Sequence, residues 1–396
     1  MSEVTPEALK AISTPDRVES RLGTLEFDDG APSEATAELL YDHLDFVHGV
    51  EAFLGALPGA SLAAMRRGFQ SAGVEDNSFT FFPDLMDSAS LFLTANSDTV
   101  YFWGFIDLSD GPMVLDVPAL GPPSGLLGTI DDMWFRWVTD LDLPGPDRGA
   151  GGRYLIVGPG YDGPLPDSGF HVFHARTTRV TALGRGFMVD NDPSVPVEAI
   201  RNGVRLSRYV PGGEGTAIGT FLAGRAPLGA APPVSEGRFI ELSGAAFNTI
   251  FPSDFGYWEL VNELVQQEPP GSGDPELLGL LAAVGIVKGK PFKPDARMRR
   301  ILEDAVVVGN ATARTVSFAP RAEEDVAYTP ARSGSTGSSP GATSSSTHPP
   351  RSPPRAWSPA RAMAPASSTR ARGFSTWRPA SSRRCACASP ASGPST

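Results

Sequence analysis

The sequence predicts a mainly β protein with α: an antiparallel β-sandwich or jelly-roll-like domain flanked by N-terminal helices and a C-terminal helical region. Three observations predict it. Between Leu91 and Val189, short runs rich in β-branched and aromatic residues recur every ~10–20 residues, separated by Gly, Pro and Asp. No helical stretch of crossover length lies between these runs, which favours antiparallel pairing over a parallel sheet. On either side the apolar residues switch to helical spacing. The 43 Gly and 38 Pro of the 396-residue chain also suit many turns better than a long bundle.

The elements follow in order. Residues 1–32 read as a flexible lead. Ser33 is a good N-cap, and Leu40, Leu44 and Val47 then fall on one helical stripe. A second helix, Ser61 to Ala72, carries Leu62, Met65 and Phe69 at the same spacing, so residues 33–73 form the N-terminal helices. The β domain, residues 74–210, is drawn with strands at Val100–Ile106, Met113–Val117, Met133–Val138, Tyr154–Val157, Phe170–Ala175 and Arg179–Leu183. Helical spacing returns at Val197–Tyr209 and continues through a mainly helical linker region, 211–330, at Tyr257–Gln267, Pro275–Val284 and Pro294–Val308.

Residues 331–396 differ in kind. They contain nine Arg and no Lys, Asp or Glu, which leaves the preceding residues at −21 within a net charge of −12. They hold no Leu, Ile or Val, so they have little to bury and are expected to be disordered. All of them except His348, Met363 and Phe374 are Ala, Ser, Pro, Thr, Arg, Gly, Cys or Trp, types with C or G at the middle codon position. That pattern is expected when the wobble bases of a GC-rich gene are read one frame out, and the tail reads as frame-shifted.

Several function classes lose support. The acidic body disfavours nucleic acid and anionic lipid as partners. The start of the chain has no signal-like apolar stretch and no run of ~18 uncharged apolar residues occurs anywhere, so a cytoplasmic protein is expected. Both cysteines, Cys385 and Cys387, lie in the tail, away from any site in the body. Gly158-Pro-Gly160-Tyr-Asp-Gly163 has the letters of a dinucleotide loop, but Pro164 and Pro166 forbid the helix that must follow. No Gly-x-Ser-x-Gly elbow exists, and neither His43/His48 nor His171/His174 forms a ready metal clamp.

The candidate site is the stretch from Asn96 through Asp107 together with Asp131 to Asp140, where polar groups sit among large aromatics. In one reading Asn96, Asp98 and Thr99 fold a turn by bonding their own backbone, and Tyr101, Trp103 and Phe105 alternate onto one strand face as core. In the other, Asp98 and Asp132 converge as acid, base or cation ligands. Asn96, Tyr101, Trp103, Asp131, Trp134, Arg136 and Trp137 then line a ligand pocket. No cofactor is identified; a divalent cation is compatible with the carboxylates.

Asn96-x-Asp98-Thr99-x-Tyr101, Asp107-Leu-Ser, Gly111-Pro112 and Tyr154-Leu-Ile-Val-Gly-Pro-Gly160 resemble the bacterial family called domain of unknown function 1254 over about residues 70–210. Gly289-Lys290-Pro291-Phe292 resembles that family's linker to a second β domain, the domain of unknown function 1214, whose aromatic strands are missing from residues 331–396. The resemblance implies β-barrel or jelly-roll-like domains, often homo-oligomeric, and no settled activity. Two functions are therefore carried. One is a hydrolase- or lyase-like enzyme acting on a small or aromatic molecule in the carboxylate pocket. The other is a noncatalytic β-sandwich that binds a ligand or assembles with itself.

Overall fold

The computed structural model describes residues 5–13, 15–92, 96–121, 124–211 and 238–319. The tail from 331, the segment 212–237 and Leu93 to Ala95 of the aromatic stretch lie outside the described residues. The lead expected to be flexible carries regular structure: a short helix α1 (Pro6–Ile12) and an antiparallel set β1 (Arg17–Ser20), β2 (Gly23–Asp28) and β3 (Ala31–Pro32). The turn between β1 and β2 is held by Ser20, whose hydroxyl accepts the Leu22 N–H and donates to the Gly23 carbonyl.

Ser33 does cap a helix, accepting the Thr36 N–H at 3.2 Å. That helix, α2 (Glu34–Ser71), is one continuous element rather than two, with Pro58 inside it. A proline in a helix interior costs about 3 kcal/mol. Tertiary packing offsets this, because Phe53, Leu57, Leu62 and Phe69 on either side of Pro58 are buried in one core. Helix α2 is long and apolar enough to cross a membrane by length and composition, with a mean hydropathy of 1.2 over 18 residues, but half of that window is buried in the fold.

Strands β4 (Phe79–Phe81), β5 (Ser90–Leu91), β6 (Thr99–Asp107), β7 (Met113–Val117), β8 (Leu126–Asp132), β9 (Trp137–Asp142), β10 (Gly152–Val157), β11 (His171–His174) and β12 (Arg179–Phe187) follow. Then come α3 (Ser194–Gly203), β13 (Arg205–Arg208), β14 (Phe239–Glu241), β15 (Phe247–Asn248), α4 (Gly256–Gln267), α5 (Pro275–Ala283) and α6 (Ala296–Phe318). A six-stranded sheet, β14-β4-β6-β12-β8-β9, and a four-stranded sheet, β11-β10-β7-β13, share one apolar core. Pairing is mostly antiparallel, with β14/β4, β10/β11 and β15/β5 parallel.

Strand β6 is buried on both faces, which explains its unbroken apolar run. Val100, Phe102 and Ile106 join the core shared by the sheets, while Tyr101, Trp103 and Phe105 join the core formed with α2, α4, α5 and α6. The alternation expected for these three aromatics is therefore met, and the fold is a sandwich with a helical layer on the outer face of its larger sheet.

Two predicted elements need correction. Met133–Val138 is a strand only from Trp137, where β9 begins: residues 133–136 form the turn between β8 and β9, with Phe135 at φ 61°. Aromatic content imitated a strand, but the Asp132 carboxylate accepts the N–H groups of Trp134 and Arg136 and reverses the chain. Val197–Tyr209 is α3 followed by a strand. Gly203 ends the helix where the backbone passes Pro118, whose Cβ stands 2.3 Å from where a Gly203 Cβ would be, and β13 then pairs with β7.

Candidate functional site

The polar motif before β6 forms an Asx turn. Asn96 Oδ1 accepts the Asp98 N–H at 3.4 Å and the Thr99 hydroxyl at 3.2 Å, and the Asp98 side chain is exposed. Tyr101, two residues on, is buried, and its hydroxyl accepts Arg185 Nη1 at 3.3 Å. Trp103 is also buried and donates its indole N–H to Thr181 Oγ1 at 2.8 Å.

Asp132 belongs to a different place. Besides the two turn N–H groups, its carboxylate accepts Arg136 Nε at 2.7 Å. Arg136 also donates to the Ser272 carbonyl, and the Trp134 indole donates to Ser272 Oγ at 3.2 Å. Asp132, Trp134 and Arg136 thus fasten the β8–β9 turn to the loop after α4. The expected convergence of Asp98 with Asp132 does not occur. Thr99 pairs with Phe187 and Asp132 with Val180, seven residues apart along β12. At ~3.3 Å per residue that is ~23 Å of strand.

Sheet register brings another set together. Across the helix-facing side, Phe105, Thr181, Asp131 and Trp137 form one row, and Trp103, Leu183, Thr129 and Asp140 form the next. A bulge between Ile130 and Asp131 adjusts the register at this edge. Asp131 is only 4% exposed, and among the described residues no cation pairs with it. Burial, reinforced by the charges of Asp132 and Asp140, raises its pKa to about 7. Asp140 is raised too, by burial, which a hydrogen bond from the Trp137 side chain opposes. Trp137 as a whole is 65% exposed. Asp131, Asp140 and Trp137 therefore combine an uncompensated acid pair with an accessible indole.

Asp107, at the far end of β6, joins a charged clasp. Arg179 reaches Asp107 Oδ2 at 2.8 Å and Asp76 Oδ2 at 3.0 Å, and Arg66 grips Asp76 through two bonds of 2.7 and 2.6 Å. Burial works to raise Asp107, but hydrogen bonds from Ser109 and the Arg179 charge outweigh it and hold the carboxyl below its usual range. Glu268 accepts the Thr178 N–H at 2.5 Å on the other side of Arg179, and burial lifts its pKa to about 6. The clasp ties α2, β6, β12 and α4 to one another.

Among the described residues no group of three or more His, Cys, Asp or Glu is placed to hold a metal ion. A groove of about 460 Å³ lies elsewhere, between the start of α2 and Arg297, and none of the predicted site residues lines it.

These observations place the motif residues in one β domain, and comparison with known families agrees. Residues 77–208 match the family model described as Protein of unknown function (DUF1254). The DUF1254 match covers about a third of the chain and contains all of β4 to β13. Among solved structures, the chain is similar to the VPA0106 protein from Vibrio parahaemolyticus, at 16% identity and a TM-score of 0.47 over 69% of this chain. The chain spans 59% of the length of that structure. No curated protein matches it.

Within the DUF1254 segment, Asn96 and Asp98 form a turn, Tyr101 and Trp103 are core, and Asp132, Trp134 and Arg136 form a fastening. Asp131 and Trp137 are brought together. Asp140, which completes that pair, was missed as a site residue although it ends the same acidic and aromatic stretch. Strand alternation alone would set Asp140, three residues after Trp137, on the opposite face; the bulge opposite Ile130 and Asp131 brings it round, and the sequence carries no signal for that.

Proposed function

We propose that this chain is a noncatalytic β-sandwich module that binds a small cationic or aromatic amine ligand at Trp137, Asp131 and Asp140. The observation that carries the reading is an exposed indole beside two carboxylates that lack a cationic partner among the described residues. An aromatic face attracts an ammonium group, and nearby carboxylates add charge complementarity. The ligand's charge would compensate Asp131 and lower its pKa, so binding should tighten as pH rises through about 7.

Self-assembly through the free edge of β9 is less well supported. That strand carries Asp140 and Asp142 beside a bulge, the features that protect a sheet edge from pairing with another chain. The hydrolase- or lyase-like reading would have to move from Asp98 and Asp132 to Asp131, whose pKa suits acid–base work. A cytoplasmic location goes with the proposal, supported by the packing of α2 into the core. So does the frame-shifted origin of residues 331–396; reading the coding DNA in the other two frames should restore Leu, Val and aromatic periodicity.

The test is titration of the full chain with benzylamine and tetramethylammonium, followed by tryptophan fluorescence and NMR shifts. Millimolar binding, lost in Trp137→Ala and weakened at least tenfold in Asp140→Asn, is expected. If Trp137→Ala responds to both amines as the parent does, the proposal fails.

A further inference from the structure

The loop joining β9 to β10 coils through four residues in the left-handed region: Asp142 at φ 58°, Arg148 at 52°, Gly149 at 83° and Gly151 at 74°. Two of them are not glycine, an unusual concentration of strain for a connecting loop. The coil brings Asp142 and Asp147 against the Tyr154 hydroxyl, which donates to Asp147 Oδ1 and accepts the Asp142 N–H at 3.1 Å. Asp142 is fully buried. Neither of its carboxylate oxygens makes a hydrogen bond of good geometry, nor does Asp147 Oδ2; the Leu143 and Leu126 N–H groups come close enough only to temper the Asp142 charge.

Such groups are rare, because a buried charge without a partner is costly. Among the described residues no Lys, Arg or His forms an ion pair with either carboxylate, although ion pairs are found at thirteen other places. Glycines let the chain pack closely around these oxygens. A Cβ at Gly149 would stand 3.3 Å from Asp142 Oδ1, and one at Gly145 would stand 2.6 Å from the Tyr154 hydroxyl. Burial, with the charge of Asp147 added, raises Asp142 to about 7 and outweighs the Leu143 and Leu126 N–H groups, which pull it down; no counter-charge is present among the described residues.

We infer that Asp142 and Asp147 hold a hard divalent cation of the calcium type between their free oxygens. The donor set is all oxygen, its two carboxylates balance the charge of such an ion, and calcium accepts irregular geometry completed by water. The inference is independent of the ligand site at Trp137 and concerns the opposite end of β9.

The experiment uses the full chain stripped with chelator, then given CaCl2 or MgCl2. Calcium at millimolar concentration should raise the melting temperature by about 4 °C or more, and magnesium should do less because it demands stricter octahedral geometry. Terbium, a calcium substitute, should show luminescence sensitised by Tyr154. Asp142→Asn and Asp147→Asn should each cut that emission at least tenfold and abolish the calcium shift, while Asp140→Asn keeps both. Should Asp142→Asn fail to fold, Asp147→Asn decides. No calcium shift, or an Asp142→Asn variant that melts higher in chelator while terbium emission is unchanged, would overturn the inference and mean that Asp142 is simply protonated.

Discussion

Asp98 and Asp132, both acidic and both beside aromatic residues in the sequence, lie at opposite ends of the six-stranded sheet, near Phe187 and beside Val180 of β12 respectively. They cannot act on one small molecule. Their consequences for stability differ as well. Asp98 is exposed, so Asp98→Asn should change stability by no more than about 0.5 kcal/mol. Asp132 is buried and accepts three hydrogen bonds, so Asp132→Ala should cost about 2–4 kcal/mol, discounted for the partial exposure of Arg136. Urea unfolding of the two variants measures both. A stabilised Asp98→Asn would contradict the placement.

Acid–base titration of stability should reveal Asp131. Its folded pKa, about 7, is raised above the ordinary aspartate value of 3.8, so the folded state holds a proton that the unfolded chain releases. Stability should therefore fall as pH rises from about 4 to about 7 and level off above that. The size is on the order of 1–4 kcal/mol. Asp131→Asn should lessen this slope in chelated protein but not remove it, because Asp142 and Glu268 contribute in the same direction. A parent protein more stable at pH 8 than at pH 5, with Asp131→Asn no different, would show that Asp131 finds a counter-charge.

Two helical glycines should respond in opposite ways to the same change. At Gly68 in α2, a Cβ would fall 2.4 Å from the Asn248 carbonyl oxygen, a backbone atom that cannot swing aside. Gly68→Ala should cost about 2 kcal/mol or more and loosen β15 from the helix. At Gly279 in α5 nothing lies within 4 Å, so Gly279→Ala should stabilise by about 0.5–1 kcal/mol. Thermal unfolding separates them, and a neutral Gly68→Ala would mean that α2 can move away from Asn248.

Much of the fold was legible because local signals and tertiary structure agree. Ser33 caps α2 as its type suggests, and Met113–Val117 is a strand with the boundaries its apolar run marks. Prediction failed where long-range packing overrode a local rule. Pro58 should end a helix but is carried through by the core around Phe53 and Leu62, and Gly128 and two aspartates hid β8. The site was half legible. Asp131 and Trp137 stood out as acid and aromatic, but their pairing with Asp140 depends on register and on a bulge that the sequence does not announce.

Arg179 offers the sharpest test of how the layers are joined. It stands among Asp76, Asp107 and Glu268, which come from the loop after α2, the end of β6 and the end of α4. Arg179→Met keeps the bulk of the side chain and removes the charge, leaving three carboxylates close together with only Arg66 to answer them. The loss should be about 3–5 kcal/mol near pH 8, above the pKa of Glu268 and of Asp107. Acid should relieve it. Glu268, already raised to about 6, takes up a proton first, and Asp107, held low in part by Arg179, should rise once the guanidinium is gone. The difference between parent and Arg179→Met should therefore shrink steadily from pH 8 to pH 5 in urea unfolding. A difference that stays constant with pH would mean that Arg179 stabilises through packing rather than charge, and that the clasp is held by Arg66 and Asp76 alone.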